Sequence, residues 1–250
     1  MSGLHYNFDW SIAFRHPYSD WLLTGLKVTF LLFFATSILS LCLGTLLAVM
    51  RLTRIRLFSI VAGAYVEIVR SIPGLFWLLF FYFAFPEILP FGWGGRLNAC
   101  IDYPIIAGII ALTINNSAYV SDIVRAGLLA VPAGQRESAV SCGLSRSQQY
   151  LHVLLPQAIR IMLPPLGTRM IHNFKNTSLC IAISAPELTW ATQQIESLTF
   201  RGLEVTALAT AFYCAVALIL GYSFRKLEKR WQARIQNNAS WITRQYGILD

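Results

Sequence analysis

Two long runs without a charged residue, 28–50 and 205–224, constrain the fold of this chain more than any other feature. About 20 apolar residues are enough for a helix to cross the hydrocarbon core of a bilayer, and each run has that length. The composition agrees, because 56% of the residues are hydrophobic and 13% are charged. We therefore predict an all-α, polytopic membrane protein rather than a soluble domain.

The basic residues predict how the chain is threaded through the membrane, because Lys and Arg are enriched in cytoplasmic loops. They follow the first run, recur in the middle of the chain and follow the last run: Arg51, Arg54, Arg56, Arg136, Arg146, Arg160, Arg225, Lys226, Lys229, Arg230 and Arg234. Membrane topology therefore accounts for the net charge of +8, which does not indicate nucleic-acid binding. The alternation predicts about five transmembrane helices, with the N-terminus outside and the C-terminus inside.

The predicted spans cover residues 22–50, 58–85, 104–129, 157–183 and 205–224. Pro73 and Gly74 would kink the second of them. A second division makes residues 57–70 an interfacial helix and residues 71–85 the span, and the sequence leaves both divisions open. Aromatic and acidic residues are mixed over residues 1–20, which indicates a segment at the membrane–water interface on the outer side.

Charged residues in the second and third spans are spaced for pairing. Glu67 and Arg70 lie three positions apart, as do Asp122 and Arg125, so the members of each couple share a helix face. Intramembrane charges are costly and usually face the interior of the protein. The sequence leaves two interpretations open: a wall of a translocation path, or ion pairs with a structural or gating role.

The fourth span is unusually polar. Arg169, His172 and Asn173 lie within one helical turn and project to one broad face. A lipid-facing helix could not carry them cheaply, so we expect this helix to be buried in the protein. Asn116, in the middle of the third span, is a further polar residue that could bond a neighbouring helix or line an aqueous path.

No pattern for covalent chemistry or metal binding accompanies these polar residues. The sequence lacks the Gly-x-x-x-x-Gly-Lys-Ser/Thr loop that binds ATP and the His-Glu-x-x-His zinc motif. The four histidines are scattered, and no nucleophile stands with a base. We therefore predict a chain that is not an enzyme and that holds no metal or cofactor of its own.

The polar segment 132–156 carries the signals of two short amphipathic helices joined at a glycine. Pro132 suits a first helical turn, and Gly143 stands where a helix commonly ends, for which we expect a positive φ. Ser145 and Gln148 have the spacing of a capping box. Pro156 would interrupt the second helix or bend it. A solvated helical hairpin of this kind has a suitable shape for docking on another protein.

This segment resembles the cytoplasmic loop through which bacterial ABC importer permeases contact their ATPase, and we call it the coupling loop. The matching residues, at the spacing of that family, are Glu137, Ala139, Gly143, Val153, Leu155 and Pro156. Residues 70–73, 118–125, 155–158 and 175–179 resemble the branch that takes up polar amino acids such as histidine, glutamate, glutamine, arginine and opines. The similarity covers most of the chain, from residue 20 to residue 230.

The resemblance implies a binding-protein-dependent importer of the type I fold in the bacterial inner membrane. Its expected parts on this chain are an outer segment over residues 1–20, a permease domain over residues 21–230 and a cytoplasmic tail over residues 231–250. The expected partners are an ABC ATPase dimer that binds ATP and Mg²⁺, a second permease subunit, identical or homologous, and a periplasmic or lipid-anchored substrate-binding protein.

The resemblance also bears on the substrate. Thr168 and Arg169 stand where family members that carry basic amino acids often have Asn-Glu, and arginine suits a carboxylate. We therefore expect glutamate, aspartate or glutamine, on a path lined by Arg169, His172, Asn173 and Asn116. The sequence leaves equally open that Arg169 pairs with a carboxylate of the partner subunit or with Glu67. One alternative is another substrate in the same family, such as a sulfur amino acid, an opine or a basic amino acid. The other is a channel or secondary transporter that needs no ATPase.

Overall fold

The computed structural model describes residues 7–90 and 93–246, and this part of the chain contains helices but no strand. Its α-helices, in chain order, are α1 (Tyr18–Leu52), α2 (Arg56–Ser71), α3 (Gly74–Leu79), α4 (Phe85–Ile88), α5 (Trp93–Asn98), α6 (Tyr103–Leu129), α7 (Ala133–Ser141), α8 (Arg146–Gln148), α9 (Leu155–Asn176), α10 (Leu188–Thr199) and α11 (Gly202–Tyr246). Short 3₁₀ helices cover Trp10–Phe14 and Thr177–Ile183, and π-helical turns cover Phe80–Ala84 and Gln149–Leu154. The predicted all-α class is confirmed.

Three helices of the described part are long and apolar enough to cross a membrane: α1, α6, and α11 as far as Trp231. A fourth candidate is the broken pair formed by α2 and the segment Gly74–Ile88, which meet at 104°. α9 is too polar to qualify by composition. It lies at the sequence position of the predicted fourth span, and it packs against α6 and α11.

The predicted kink at Pro73 is a full change of direction. Ile72 and Pro73 are extended, with ψ angles of 128° and 141°, because the residue before a proline is driven out of the helical region. α2 therefore ends, and the chain starts again as α3 on a new axis. The break falls where both predicted divisions place it, and the two helices together are long and apolar enough for one broken span.

α6 lies at the centre of the bundle, with α1, α2, α3 and α9 packed around it. α1 comes close to it at Gly44, where a Cβ atom would lie 2.6 Å from Val120 Cβ and 2.7 Å from the carbonyl oxygen of Ser117. Small residues permit such an approach between membrane helices, whose association depends on van der Waals contact. α6 is thus placed to carry side chains toward several helices at once.

Two helices are longer than the sequence indicated. The chain is helical without a break from Arg146 through the π-helical turn into α9, so the second helix of the coupling loop is not a separate element. Pro156 stands in the first turn of α9 and does not interrupt it. α11 was predicted over residues 205–224, but it continues to Tyr246 and carries the last basic cluster on the same helix.

The predicted boundary segment is shorter than residues 1–20, because α1 already begins at Tyr18. Residues 1–6 lie outside the described part. Trp10 and Phe14 of this segment are 50% and 82% exposed. The backbone N–H of Asp9 donates to Glu204 Oε1 at 3.0 Å, which attaches this segment to the start of α11.

Glu187 organises the same end of the bundle by capping α10. Its carboxylate accepts hydrogen bonds from the backbone N–H groups of Thr189 and Trp190, both at 2.9 Å, and from the hydroxyl of Tyr213 at 2.8 Å. The side chain is fully buried, and this burial raises the pKa of the Glu187 carboxyl. One carboxylate therefore joins the start of α10 to α11.

Candidate translocation path and coupling loop

A chain of hydrogen bonds crosses the middle of the bundle from α9 to α1. Arg169 Nε donates to Asn116 Oδ1, and a terminal nitrogen of Arg169 lies 3.5 Å from Asn115 Oδ1. Asn116 Nδ2 donates to the Ser40 hydroxyl at 2.7 Å. We call these four residues, Ser40, Asn115, Asn116 and Arg169, the polar seam. It brings two predicted path residues, Asn116 and Arg169, into direct contact.

An aromatic ring completes the surroundings of the arginine. The guanidinium carbon of Arg169 lies 3.9 Å from the ring centroid of Tyr119, and Asn116 is fully buried. Amide oxygens and a π-face thus take the place of water around the charge. An ionisable residue inside a membrane bundle is expensive, and it marks a functional site by default. Ser40 and Tyr119 were not among the predicted path residues, although Tyr119 lies four positions after Asn115, on the same face of α6.

The other two predicted path residues lie elsewhere. Asn173 is buried and donates to Thr36 Oγ1 and Ser37 Oγ of α1 at 2.8 and 2.9 Å, so it bonds one helix to another. His172 is exposed. The prediction of one shared face with Arg169 was wrong in this respect: side chains within one turn still fan out around a helix, and only part of α9 faces the interior.

The predicted ion pairs were also wrong in their partners. Asp122 is bound by Arg70 through Oδ2 and by Arg51 through Oδ1, the latter at 2.6 Å. Among the described residues, no ion pair joins Glu67 to Arg70 or Asp122 to Arg125. The reason is the packing of α2 and the end of α1 against α6. Arg70 therefore pairs with Asp122 on a neighbouring helix rather than with Glu67 on its own helix.

Gly143 ends α7 in the left-handed conformation that the sequence predicted, with φ of +73°. Its N–H donates to the carbonyl oxygen of Val140 at 2.9 Å, and the N–H of Leu144 donates to that of Ala139 at 3.2 Å. This pair of bonds is a Schellman motif, which requires positive φ and therefore favours glycine. The predicted capping box between Ser145 and Gln148 is confirmed two residues later.

The coupling loop presents a mixed surface. Of its six predicted contact residues, Glu137, Gly143 and Leu155 are exposed, Val153 and Pro156 are half-buried, and Ala139 is buried. Ala139 therefore supports the turn from beneath rather than meeting a partner. Tyr150 and Leu151 were not predicted, yet they are 53% and 60% exposed. Their apolar character within a polar segment was the signal that could have identified them.

The fold and the buried polar seam together define an all-helical membrane transport subunit. The chain matches the family of binding-protein-dependent transport system inner membrane components over residues 40–233, and it belongs to that family. Membership makes it an inner-membrane component of an ABC transporter that works with partner subunits. It is a transport subunit and not an enzyme.

Individual relatives agree with this assignment. The chain is 34% identical over 223 residues to the glutamine transport system permease protein GlnP of Escherichia coli (strain K12), covering 89% of this chain and 97% of the relative. It is 32% identical over 225 residues to the glutamate/aspartate import permease protein GltK of Escherichia coli O157:H7, covering 90% and 99%. A solved amino acid ABC transporter with histidines shares the fold with a TM-score of 0.78 and 30% identity, covering 90% of this chain and 100% of that one.

Proposed function

We propose that this chain is the permease of an ATP-driven importer that carries an acidic or neutral polar amino acid: glutamate, aspartate or glutamine. One observation carries the proposal: Arg169 is held among α1, α6 and α9 by amide oxygens and an aromatic ring. A cation in this position favours a substrate carboxylate and disfavours a cationic side chain. The names of the two bacterial relatives support the same substrate class.

The bonding of Arg169 supports direct contact with the substrate. A guanidinium has five N–H donors in a planar fork, and the described bonds to Asn116 and Asn115 use two of them. The remaining donors suffice for a carboxylate held by two parallel hydrogen bonds. Because Asn116 is itself oriented by Ser40, the guanidinium would be positioned before the substrate arrives.

A second permease subunit, identical or homologous, would cover the outer face of α9. Thr168, His172 and Lys175 are all exposed and follow one another at spacings of four and three, which places them in one stripe. Lipid is a poor solvent for such a stripe. A shared aqueous path between two subunits would hydrate it, and His172 would then line that path without touching Arg169.

The remaining partners follow the same proposal. An ABC ATPase dimer, which supplies the ATP and Mg²⁺ sites, would dock on the coupling loop, and a periplasmic or lipid-anchored binding protein would deliver substrate from outside. ATP binding would close the ATPase dimer and move the coupling loop, and the helices would switch from inward-facing to outward-facing. ATP can shift that equilibrium only through its differential affinity for the two states.

The proposed topology has the N-terminal segment outside, the permease domain over residues 21–230, the loop 132–156 inside and the tail 231–250 inside. Two native cysteines test it, since Cys100 and Cys142 are both exposed. With Cys42, Cys180 and Cys214 replaced by serine, an impermeant thiol reagent should label Cys100 on intact cells and leave Cys142 unlabelled. Both should react after solubilisation. Labelling of Cys142 on intact cells would contradict the topology.

The decisive experiment is uptake into vesicles that contain the permease, its ATPase and its binding protein. Labelled glutamate or glutamine should accumulate only when ATP is present inside, and arginine should accumulate poorly. Uptake without ATP would favour the channel or secondary transporter. Arginine as the best substrate would contradict the proposed substrate class.

A further inference from the structure

Two arginines from different helices contact the same aromatic ring. The guanidinium carbon of Arg70, at the end of α2, lies 5.5 Å from the ring centroid of Tyr119, and that of Arg169 lies 3.9 Å from it. The two cations are therefore within about 10 Å of each other, a separation at which charges inside a protein still interact appreciably. Tyr119 thus connects the polar seam to the ion pairs of Asp122.

Asp122 is the carboxylate that balances this group. It binds Arg70 through one oxygen and Arg51 through the other. With Arg169, three cations face one anion, so the cluster carries an excess of positive charge. Arg51 and Asp122 are partly enclosed, with 14% and 31% of their side chains exposed, whereas the side chain of Arg70 is 43% exposed, so solvent screens Arg70 more than the other two. Loss of Asp122 would raise the excess, and loss of Arg70 would lower it.

We propose that Asp122 and Arg70 determine how strongly Arg169 prefers an anionic amino acid over a neutral one. The inference rests on the proposed function and assigns two positioning residues that act through the electrostatic potential at Arg169 without touching the substrate. Asp122 moderates the preference that three arginines would otherwise impose. The site can then accept glutamine as well as glutamate, and substitutions at Asp122 or Arg70 tune the choice.

The test measures equilibrium binding of labelled glutamate and glutamine to the purified permease–ATPase complex in nanodiscs, without the binding protein. Asp122→Asn should raise the ratio of glutamate affinity to glutamine affinity about five-fold, from a unit charge at this distance. Arg70→Gln, on a more exposed side chain, should lower the ratio by a smaller factor. Both substitutions break the same ion pair. A merely structural role would therefore move the ratio in the same direction in both, and that result would overturn the proposal.

Two control variants separate charge from geometry. Asp122→Glu keeps the charge on a longer side chain and should keep the wild-type ratio; a ratio like that of Asp122→Asn would contradict the proposal. Glu67→Gln makes the same charge change as Asp122→Asn, one turn before Arg70, on an exposed side chain. Because water screens the charge of Glu67, Glu67→Gln should shift the ratio much less than Asp122→Asn does. An equal shift would contradict the proposal that the charge acts from its position beside Arg169.

Failure of the proposed function would be visible separately. A wild-type complex that binds neither glutamate nor glutamine would contradict the substrate class. Arginine and glutamine would then serve as the ligand pair. Asp122→Asn should in that case lower the ratio of arginine affinity to glutamine affinity, and Arg70→Gln should raise it. Co-elution with the ATPase checks that each variant is assembled. If Asp122→Asn does not assemble, Arg70→Gln and Arg70→Lys carry the test. Arg70→Gln should lower the ratio, while Arg70→Lys keeps the charge and should hold the ratio near its wild-type value; an equal fall in both would overturn the proposal.

Discussion

The polar seam and the coupling loop are the two regions where this apolar chain concentrates polar function, and they are built in opposite ways. In the seam, Arg169 bonds Asn116, 53 positions earlier in the chain, and Asn116 bonds Ser40, a further 76 positions earlier. The seam exists only when three helices are packed correctly. Its groups are enclosed, so each lost partner leaves a polar atom without water to replace it.

The coupling loop depends on its own backbone. The hydrogen bonds that close α7 join Gly143 to Val140 and Leu144 to Ala139, so every partner is within five positions. Most of the segment is exposed, and its shape is set by one positive φ and one capping box. The contrast indicates that substitutions in the seam should affect folding and selectivity, while substitutions in the loop should leave folding intact and affect the contact with a partner.

The largest effect should come from the packing beneath the seam. Gly44→Val would place a side chain against Val120 and Ser117, where α1 and α6 touch. Overpacking a close-packed contact typically costs about 1–3 kcal/mol, and here the obstacle includes backbone. We expect little folded protein in membranes and a strongly lowered melting temperature by size-exclusion thermal assay. Gly63→Val on α2 is the matched control, because a Cβ there meets nothing within 4 Å. Equal losses in both would contradict this packing account.

The same contrast decides how much the sequence could predict. The end of α7 and the capping box were predicted, because Gly143 and the spacing of Ser145 and Gln148 are local signals, but the predicted break at Pro156 is absent. The apolar runs likewise predicted the helices. The partners of charged groups could not be predicted: Arg70 has Glu67 three positions away, yet it bonds Asp122 on another helix. Which residues meet between helices depends on how the helices pack against one another, and no short spacing in the sequence encodes that.

The second prediction tests the seam for selectivity. Arg169→Glu replaces a donor to Asn116 with an acceptor and reverses the charge. Charge-assisted hydrogen bonds contribute about 1.5–3 kcal/mol, so the preference for glutamate over arginine should change by roughly 10- to 100-fold in ATP-driven uptake. Arg169→Lys is the control: it keeps the charge without the planar fork and should lower affinity while preserving the order of substrates. An unchanged order in Arg169→Glu would show that Arg169 does not select the substrate.

The third prediction tests whether the loop is locally built. Gly143→Val forces a branched residue into the left-handed region, at a local cost of about 1–2 kcal/mol. We expect nearly normal expression, a several-fold weaker association with the ATPase in pull-down, and ATP hydrolysis that is poorly coupled to uptake. Gly143→Asn should retain most function, since asparagine tolerates this conformation. The open space around Gly143 makes backbone strain the only expected cause. Equal defects in both variants would argue against it.

The smallest effect should come from Glu187, which combines the properties of the two regions. It is buried like the seam, yet its partners Thr189 and Trp190 lie two and three positions away, as in the loop. Burial raises the pKa of its carboxyl, so the folded state binds a proton more readily than the unfolded state does. This contribution to stability is complete below the ordinary pKa of about 4.3, and it is lost as pH rises through the raised value.

Glu187→Gln keeps the shape of the protonated form and removes the titration. The melting temperature should therefore fall less with rising pH than in the wild type, and the two proteins should differ by a few degrees at most. Tyr213→Phe deletes a hydroxyl that donates to the carboxylate and lowers its pKa, so it should raise that pKa further and widen the pH range of the fall. Thermal unfolding of the purified protein over a pH series measures both. Identical pH profiles in wild type and Glu187→Gln would mean that the hydrogen bonds to this carboxyl, which lower its pKa, cancel the effect of burial.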